Sequence, residues 1–229
     1  MGSPNLPTLT AALLLSYSEA ALRNADELLA EASLLCEYGH IARAYFLAVA
    51  CIEEAGKALF AFDSQNRNLS DPAVCTKLKK VMESHALSVW ALSSPDQRES
   101  IKVASIIIVD IKHGREPSMY SDLRTDPDRV QTPREVVRDS AARDCVRLAK
   151  DCLAYAHRHG VEKTPATFTT AQDRLFSMKS ARFQELLKIE DFWWYYIWRM
   201  EAGQQDLAEA VLGYEQDHIK TGMPFCAAP

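Results

Sequence analysis

A chain of 229 residues, 48% hydrophobic and 25% charged, is long enough for one large helical domain or for a domain with an appended subdomain. A formal net charge of -5 and a pI near 5.7 argue against a broad electrostatic grip on nucleic acid and leave room for a local basic patch in a dimer groove. Six scattered cysteines, Cys36, Cys51, Cys75, Cys145, Cys152 and Cys226, form no CxxC pair and read as reduced thiols of a cytoplasmic protein, while the absence of a leader pattern or a long apolar run argues against secretion and membrane spanning.

In chain order, Thr10 is an N-cap, and Leu14, Tyr17, Ala21, Ala25, Leu28, Ala32 and Leu35 recur at steps of three and four until Gly39 stops the helix. The corner Tyr38-Gly39-His40 is so short that the first two helices are expected to form an antiparallel hairpin. The second helix, Ile41 to Phe62, is apolar almost all the way round: Ile41, Ala44, Tyr45, Ala48, Cys51, Ile52, Ala55, Leu59 and Phe62 make one broad face. Its four charges, Arg43, Glu53, Glu54 and Lys57, fall on one narrow stripe opposite, with Phe46 and Ala50. A helix of this kind is central, so its charges are expected to be shielded and either paired or used; Glu53 and Lys57 have the favourable order for an intrahelical pair. The stripe reads either as a structural ion pair or as a functional pocket.

Ser70 or Asp71 caps a third helix with Pro72 in its first turn, running to about Ser93 with Val74, Leu78, Val81, His85, Val89 and Leu92 inward. Ser94-Pro95-Asp96 opens a fourth, kept helical to His113 despite its β-branched centre because no alternating partner strand is legible. From Gly114 to Gln131 comes the longest irregular stretch, rich in charge, which reads as functional or mobile. Thr132-Pro133-Arg134-Glu135 spells a capping box opening a fifth helix that Gly160 closes, with Val137, Ala141, Cys145, Leu148 and Cys152 buried. After a linker, Val161 to Thr170, a further helical stretch carries Phe192-Trp193-Trp194-Tyr195-Tyr196-Ile197-Trp198. Its six aromatics in seven residues cannot all face one core, so some are expected in a second interface. The acidic flanks Glu185, Glu190, Asp191 and Glu201 disfavour an anionic membrane surface.

No phosphate loop, HExxH, GxSxG or DNA-reading motif is present. Glu37-Tyr-Gly-His40 spells Glu-x-x-His, but a di-metal bundle needs a second copy and Gly39 puts this one at a helix end, so neither metal nor cofactor is expected. Metal-free RNA cleavage needs a histidine beside a cation; His85 with Lys79 or Lys80 has those residue types, and a hydrogen-bonded core histidine beside a solvated lysine face is the alternative.

Several segments together resemble a known family. The run Glu37-Tyr-Gly-His-Ile-Ala-Arg-Ala-Tyr-Phe-Leu-Ala-Val-Ala-Cys-Ile-Glu-Glu-Ala-Gly-Lys57, then Arg115 with Met119-Tyr-Ser-Asp122, then Thr132-Pro-Arg-Glu135, is similar to the AbiV-type abortive-infection proteins of the HEPN superfamily, over roughly residues 10 to 158. The resemblance implies an all-α, HEPN-like antiparallel helical bundle, commonly dimeric, in antiphage defence inside a bacterial cell, in some members by shutting down translation. Ribonuclease activity is common in the superfamily, but none of the six histidines here follows an arginine with four to six residues between them, as that signature requires. Residues carried over by the resemblance are Glu53, Glu54, Lys57, Arg115, Tyr120 and Asp122; Arg43 and His85 come from the helical wheel.

The resulting expectation is a bundle over 1-160 with a C-terminal helical extension over 161-229, packed on the bundle or on a second subunit. A polar pocket of Arg43, Glu53, Glu54, Lys57 and His85 would lie near the 114 to 131 loop. In an enzymatic version His85 is acid/base, Arg43 or Lys57 steadies phosphate, and the glutamates orient both in a toxin-like, metal-independent ribonuclease. The competing reading is a non-catalytic module that binds a second copy, a phage-encoded protein or a host protein through Trp193, Trp194 and Trp198.

Overall fold

The Thr10 hydroxyl accepts the Leu13 amide at 3.1 Å and starts α1 (Ala11–Glu37). In this computed structural model residues 8–83, 116–125 and 128–225 are described. Gly39, at φ +78, takes the left-handed turn that lets α2 (Ile41–Asp63) fold back along α1. The elements divide into two units, one of residues 1–65 and 79–166, the other of residues 66–78 and 167–229.

In the first unit α2 is the central rod, packed against both α1 and α5 (Asp139–Glu162). The seam is built from small side chains: Ala25 and Ala32 of α1, Ala48, Cys51 and Ala55 of α2, and Cys145, Ala149 and Ala156 of α5 are all buried, with Val49, Ile52, Leu59 and Leu153 filling between. Small residues let three helices approach closely, and the larger four provide the apolar burial at about 1.5–3 kcal/mol each. Inside this seam the Ser18 hydroxyl donates to the Ala58 carbonyl at 2.8 Å, a buried bond tying α1 to α2. The buried set of α1 is Leu14, Ser18, Ala21, Ala25, Ala32 and Cys36, so Tyr17, expected in the stripe, lies at its edge with about a third of its surface exposed.

Two expectations for the middle of the chain are corrected. The 114 to 131 stretch is not wholly irregular: β1 (Asp122–Thr125) and β2 (Asp128–Gln131) pair antiparallel, with Asp122 opposite Gln131 and Thr125 opposite Asp128. Strands of four mostly polar residues carry no alternation to read. The capping box also opens only one turn, α4 (Pro133–Val136), where the Thr132 amide donates to Glu135 Oε2 at 2.8 Å. Val137 and Arg138 are extended, Val137 packing on Ala42 and Ala142, and the long helix starts afresh at Asp139 and runs through Gly160 to Glu162. Its buried stripe, Ala142, Cys145, Ala149, Leu153 and Ala156, lies beside the expected one; Ala141, Leu148 and Cys152 are only partly buried.

Asp71 is the cap of α3 (Pro72–Met82), accepting the Ala73 amide at 2.8 Å. Val74, Leu78 and Val81 are buried as expected; His85, Val89, Leu92 and the fourth segment to His113 lie outside the described residues.

The second unit holds α6 (Thr170–Ser177), α7 (Ser180–Leu187), α8 (Glu190–Glu201) and α9 (Leu207–Tyr214), with one wide π turn, Glu215–Ile219, after α9. Extended residues at Met178 and Ile189 and a left-handed Gly203 break what reads in sequence as one helical stretch. Its core is Leu186, Phe192, Tyr195, Ala210, Val211 and Tyr214. Arg67 is clamped within this unit: its guanidinium lies 3.7 Å from the Phe168 ring centre and 4.0 Å from that of Phe176, and donates to Asp173 Oδ1 at 2.7 Å. Among the described residues no helix is long and apolar enough to cross a membrane.

Candidate functional site

The N-terminal end of α2 opens into a concavity. His40 is its N-cap residue but makes no side-chain cap bond, so the first amides of a 23-residue helix present their partial positive charge there uncapped by a side chain. Around that end a cavity of about 400 Å³ is lined by His40, Arg43, Arg134, Ser118, Ser121 and Thr132, among others. The Gly39 turn sets His40 one helical turn from Arg43, and the Thr132 capping box delivers Arg134 from the other side. Two arginines and a histidine thus line one cavity in a chain of net charge -5.

Two further cavities adjoin it. Arg43, Ser118 and Met119 also line one of about 300 Å³ whose remaining wall is Leu35, Phe46 and Leu47, an apolar slot beside the cationic one. Ser121 is shared with a third, of about 280 Å³, bordered by Glu116, Tyr120, Asp122 and Gln131. Tyr120 is 63% exposed and Asp122 starts β1, so both expected binding residues border this third cavity and neither lines the one around His40. Arg115 and His85 lie outside the described residues.

The charged stripe of α2 is not gathered into one cavity. Lys57 donates to Glu54 Oε1 at 2.6 Å, so the pair spans three residues and is not the expected Glu53–Lys57 pair. Both side chains of the pair are largely shielded, at 15% and 20% exposure. Tyr17 of α1 lies beside them: burial pushes its hydroxyl above the usual range, with Lys57 opposing and Glu54 adding to the shift. Glu53 is buried and partnered, whereas Arg43 is exposed at the other end, about 15 Å along the axis from Glu53 and about 21 Å from Lys57 at 1.5 Å per residue.

Other polar groups bind helix to helix. His159 Nε2 meets Asp63 Oδ1 at 3.0 Å between α5 and α2, edge-on to Phe62, and His157 meets Asp26 at 3.0 Å between α5 and α1. The Cys51 and Cys145 thiols are pushed up to about 12 and that of Cys152 to about 11, in each case chiefly by burial, which keeps them protonated and poorly nucleophilic. Glu37 ends α1 and His40 follows the Gly39 turn, so the Glu-x-x-His pattern does not lie on one helical face; among the described residues no three His, Cys, Asp or Glu side chains cluster as a metal site would need.

In the second unit the aromatic run splits by helical face. Phe192 and Tyr195 enter the unit's core, Tyr196 stacks on Phe192 at 6.2 Å, and Trp193, Trp194 and Trp198 remain 41%, 52% and 52% exposed.

Sequence reading missed His40 and Arg134 as partners of Arg43. Both signals were present, the Gly39 corner and the capping box, but each was read only as a helix boundary.

Neither the curated proteins nor the solved structures compared with this chain yield a match. The HEPN_AbiV family model, described as AbiV, matches residues 13–154, which takes in α1, α2, the concavity and most of α5. That span is more than half of the chain, and with its all-α bundle the protein belongs to the AbiV-type HEPN family, whose membership points to abortive infection.

Proposed function

We propose that this protein is a helical effector or regulator of antiphage defence that engages RNA at the concavity on the N-terminal end of α2. The observation that carries this reading is one cavity lined by His40, Arg43 and Arg134 at the end of α2 where no side chain caps the amides, with an apolar slot alongside. Guanidinium groups and helix N-termini suit phosphate, and the slot of Leu35, Phe46, Leu47 and Met119 suits a base. Glu135, beside Arg134, accepts from the Thr132 amide and hydroxyl at 2.8 and 3.1 Å as the capping box requires. If the bound RNA is cut, His40 and Arg43 supply the acid/base group and the cation that a metal-independent ribonuclease requires, and His85 is the alternative acid/base group from the sequence. Lys57 is left out of this chemistry by its pairing with Glu54 and its distance along α2.

The test uses the full-length protein and a fluorescent single-stranded RNA, with Arg43→Ala and Arg134→Ala beside wild type. Each substitution is expected to weaken RNA binding about tenfold and to lower the dependence of affinity on salt by about one ion. In a phage-challenged host the same variants lose protection at unchanged soluble yield. RNA affinity indifferent to both substitutions overturns the reading.

A second reading, motivated by the exposure of Trp193, Trp194 and Trp198, is that the second unit recognises another protein through these side chains. Whether a second copy of this chain is that partner is tested by sizing at micromolar concentration, with and without Trp198→Ala.

A further inference from the structure

The exposed face of α8 carries an apolar strip with a carboxylate at each end. Glu190, Trp194, Ile197, Trp198 and Glu201 follow one another at steps of four, three, one and three, which places them within an arc of about 100° on one side of the helix. All five are exposed, and Trp193 extends the apolar strip at its edge. The opposite side, Phe192 and Tyr195, is buried in the unit's core, so the strip is not a helix wrongly turned.

The two ends of the strip are carboxylates, and neither Glu190 nor Glu201 has a partner among the described residues. The neighbouring charges are already taken. Lys188 donates to Glu185 at 2.7 Å, Asp191 accepts from the Tyr214 hydroxyl and the Phe225 amide, and Arg199 points to the other side, donating to Tyr195 and to the Glu209 carbonyl. What faces solvent is therefore an indole platform with a carboxylate at each end, about 16 Å apart along the axis.

We propose that this strip docks a basic amphipathic helix of a partner protein, one whose arginines stand eleven positions apart with leucine- or isoleucine-type residues between them. This deepens the second reading above and rests on it. An arginine at each end stacks its planar guanidinium on Trp194 or Trp198 and meets Glu190 or Glu201 with two N–H groups, while the residues between cover Ile197. Two-fold pairing of the strip with its own copy sets Glu190 against the partner copy's Glu201 at both ends, so like charges meet where opposite ones are needed. Phosphate-rich ligands and anionic lipid are repelled by the same carboxylates.

The experiment titrates the full-length protein into two fluorescent helical peptides of identical apolar residues, one with arginines eleven positions apart and one with glutamates in their place. The basic peptide is expected to bind, to weaken about tenfold or more with Trp194→Ala, to weaken less with Glu190→Gln and Glu201→Gln, and to weaken between about 50 and about 500 mM salt. Equal binding of both peptides overturns the charge assignment while leaving the face a recognition surface. Binding of neither, with the circular dichroism of the protein intact, overturns both readings of α8. Self-association abolished by Trp198→Ala, without binding of the basic peptide, assigns the strip to a second copy and overturns the basic partner; capture by anionic vesicles that Trp194→Ala abolishes assigns it to lipid.

Discussion

Removing the Arg67 side chain is expected to unfold the second unit selectively, because that guanidinium is held three ways at once. Its Nη1 donates to Asp173 Oδ1 at 2.7 Å, and its two faces are covered by Phe168 and Phe176. Side-chain exposure in the pair is 11% for Arg67 and 8% for Asp173, so the carboxylate left behind in Arg67→Met keeps only the Asn68 amide, at 2.8 Å, as partner. Stranding a buried charge in this way costs about 3–5 kcal/mol. Loss of the paired ring contacts adds about 1 kcal/mol, part of which methionine recovers by packing against the same rings. The double variant Arg67→Met with Asp173→Asn keeps an acceptor for the Asn68 amide and carries no buried charge. It is expected to regain at least about 2 kcal/mol of the loss, as a coupling between the two sites. Urea unfolding of the full-length protein followed by tryptophan emission reads this out, since three of the four tryptophans, Trp193, Trp194 and Trp198, stand in α8. A shift below about 1 kcal/mol in Arg67→Met, or single-variant losses that simply add in the double, refutes the reasoning and makes Arg67 a surface group.

Further outcomes follow from the first unit. Gly39→Ala meets no atom within 4 Å of the new Cβ, so its cost is that of the left-handed backbone alone, about 1–2 kcal/mol, read as a lowered midpoint in thermal unfolding by far-UV circular dichroism. The thiols of Cys51, Cys145 and Cys152 ionise at about 12, about 12 and about 11 when folded against an ordinary value of 9. The stability their neutral forms contribute is therefore whole below pH 9 and is lost as pH rises through the folded values. Urea midpoints are accordingly expected to fall between pH 9 and about 11, and Cys145→Ala to flatten that fall; an unchanged slope in the variant sinks the assignment.

The bundle was legible because its signals are local and agree with one another. Thr10, Gly39 and the three-and-four spacing of α1 and α2 each specify the same hairpin, and the structure has it. Reading failed where two local signals competed or where none existed. Thr132-Pro133-Arg134-Glu135 is a sound capping box, yet the buried contact of Val137 with Ala42 and Ala142 pulls the chain extended before α5 begins. Joining Asn66–Leu78 to the C-terminal unit rests on Arg67 meeting Asp173, a contact across 106 residues that no periodicity encodes.

The site was legible by residue type but not by grouping. A helical wheel compresses position along the axis, so Arg43 and Lys57 look adjacent on the stripe of α2 although about 21 Å of helix separates them. The structure resolves that ambiguity into two places with different chemistry. At the far end Lys57 is paired with Glu54 beside Tyr17, a shielded ion pair whose attraction is largely offset by the desolvation of both charges, so replacing both partners together costs the fold little. At the near end Arg43 shares a cavity with His40 and Arg134, where the uncapped amides of α2 add positive potential. A weak ion pair makes the two ends separable by experiment. Glu54→Gln with Lys57→Met should leave thermal stability within a few degrees of wild type, so protection lost in that variant assigns the far end a role in function. Protection kept there and lost in Arg43→Ala places function at the concavity, and protection kept in both removes Arg43, Glu54 and Lys57 from the mechanism.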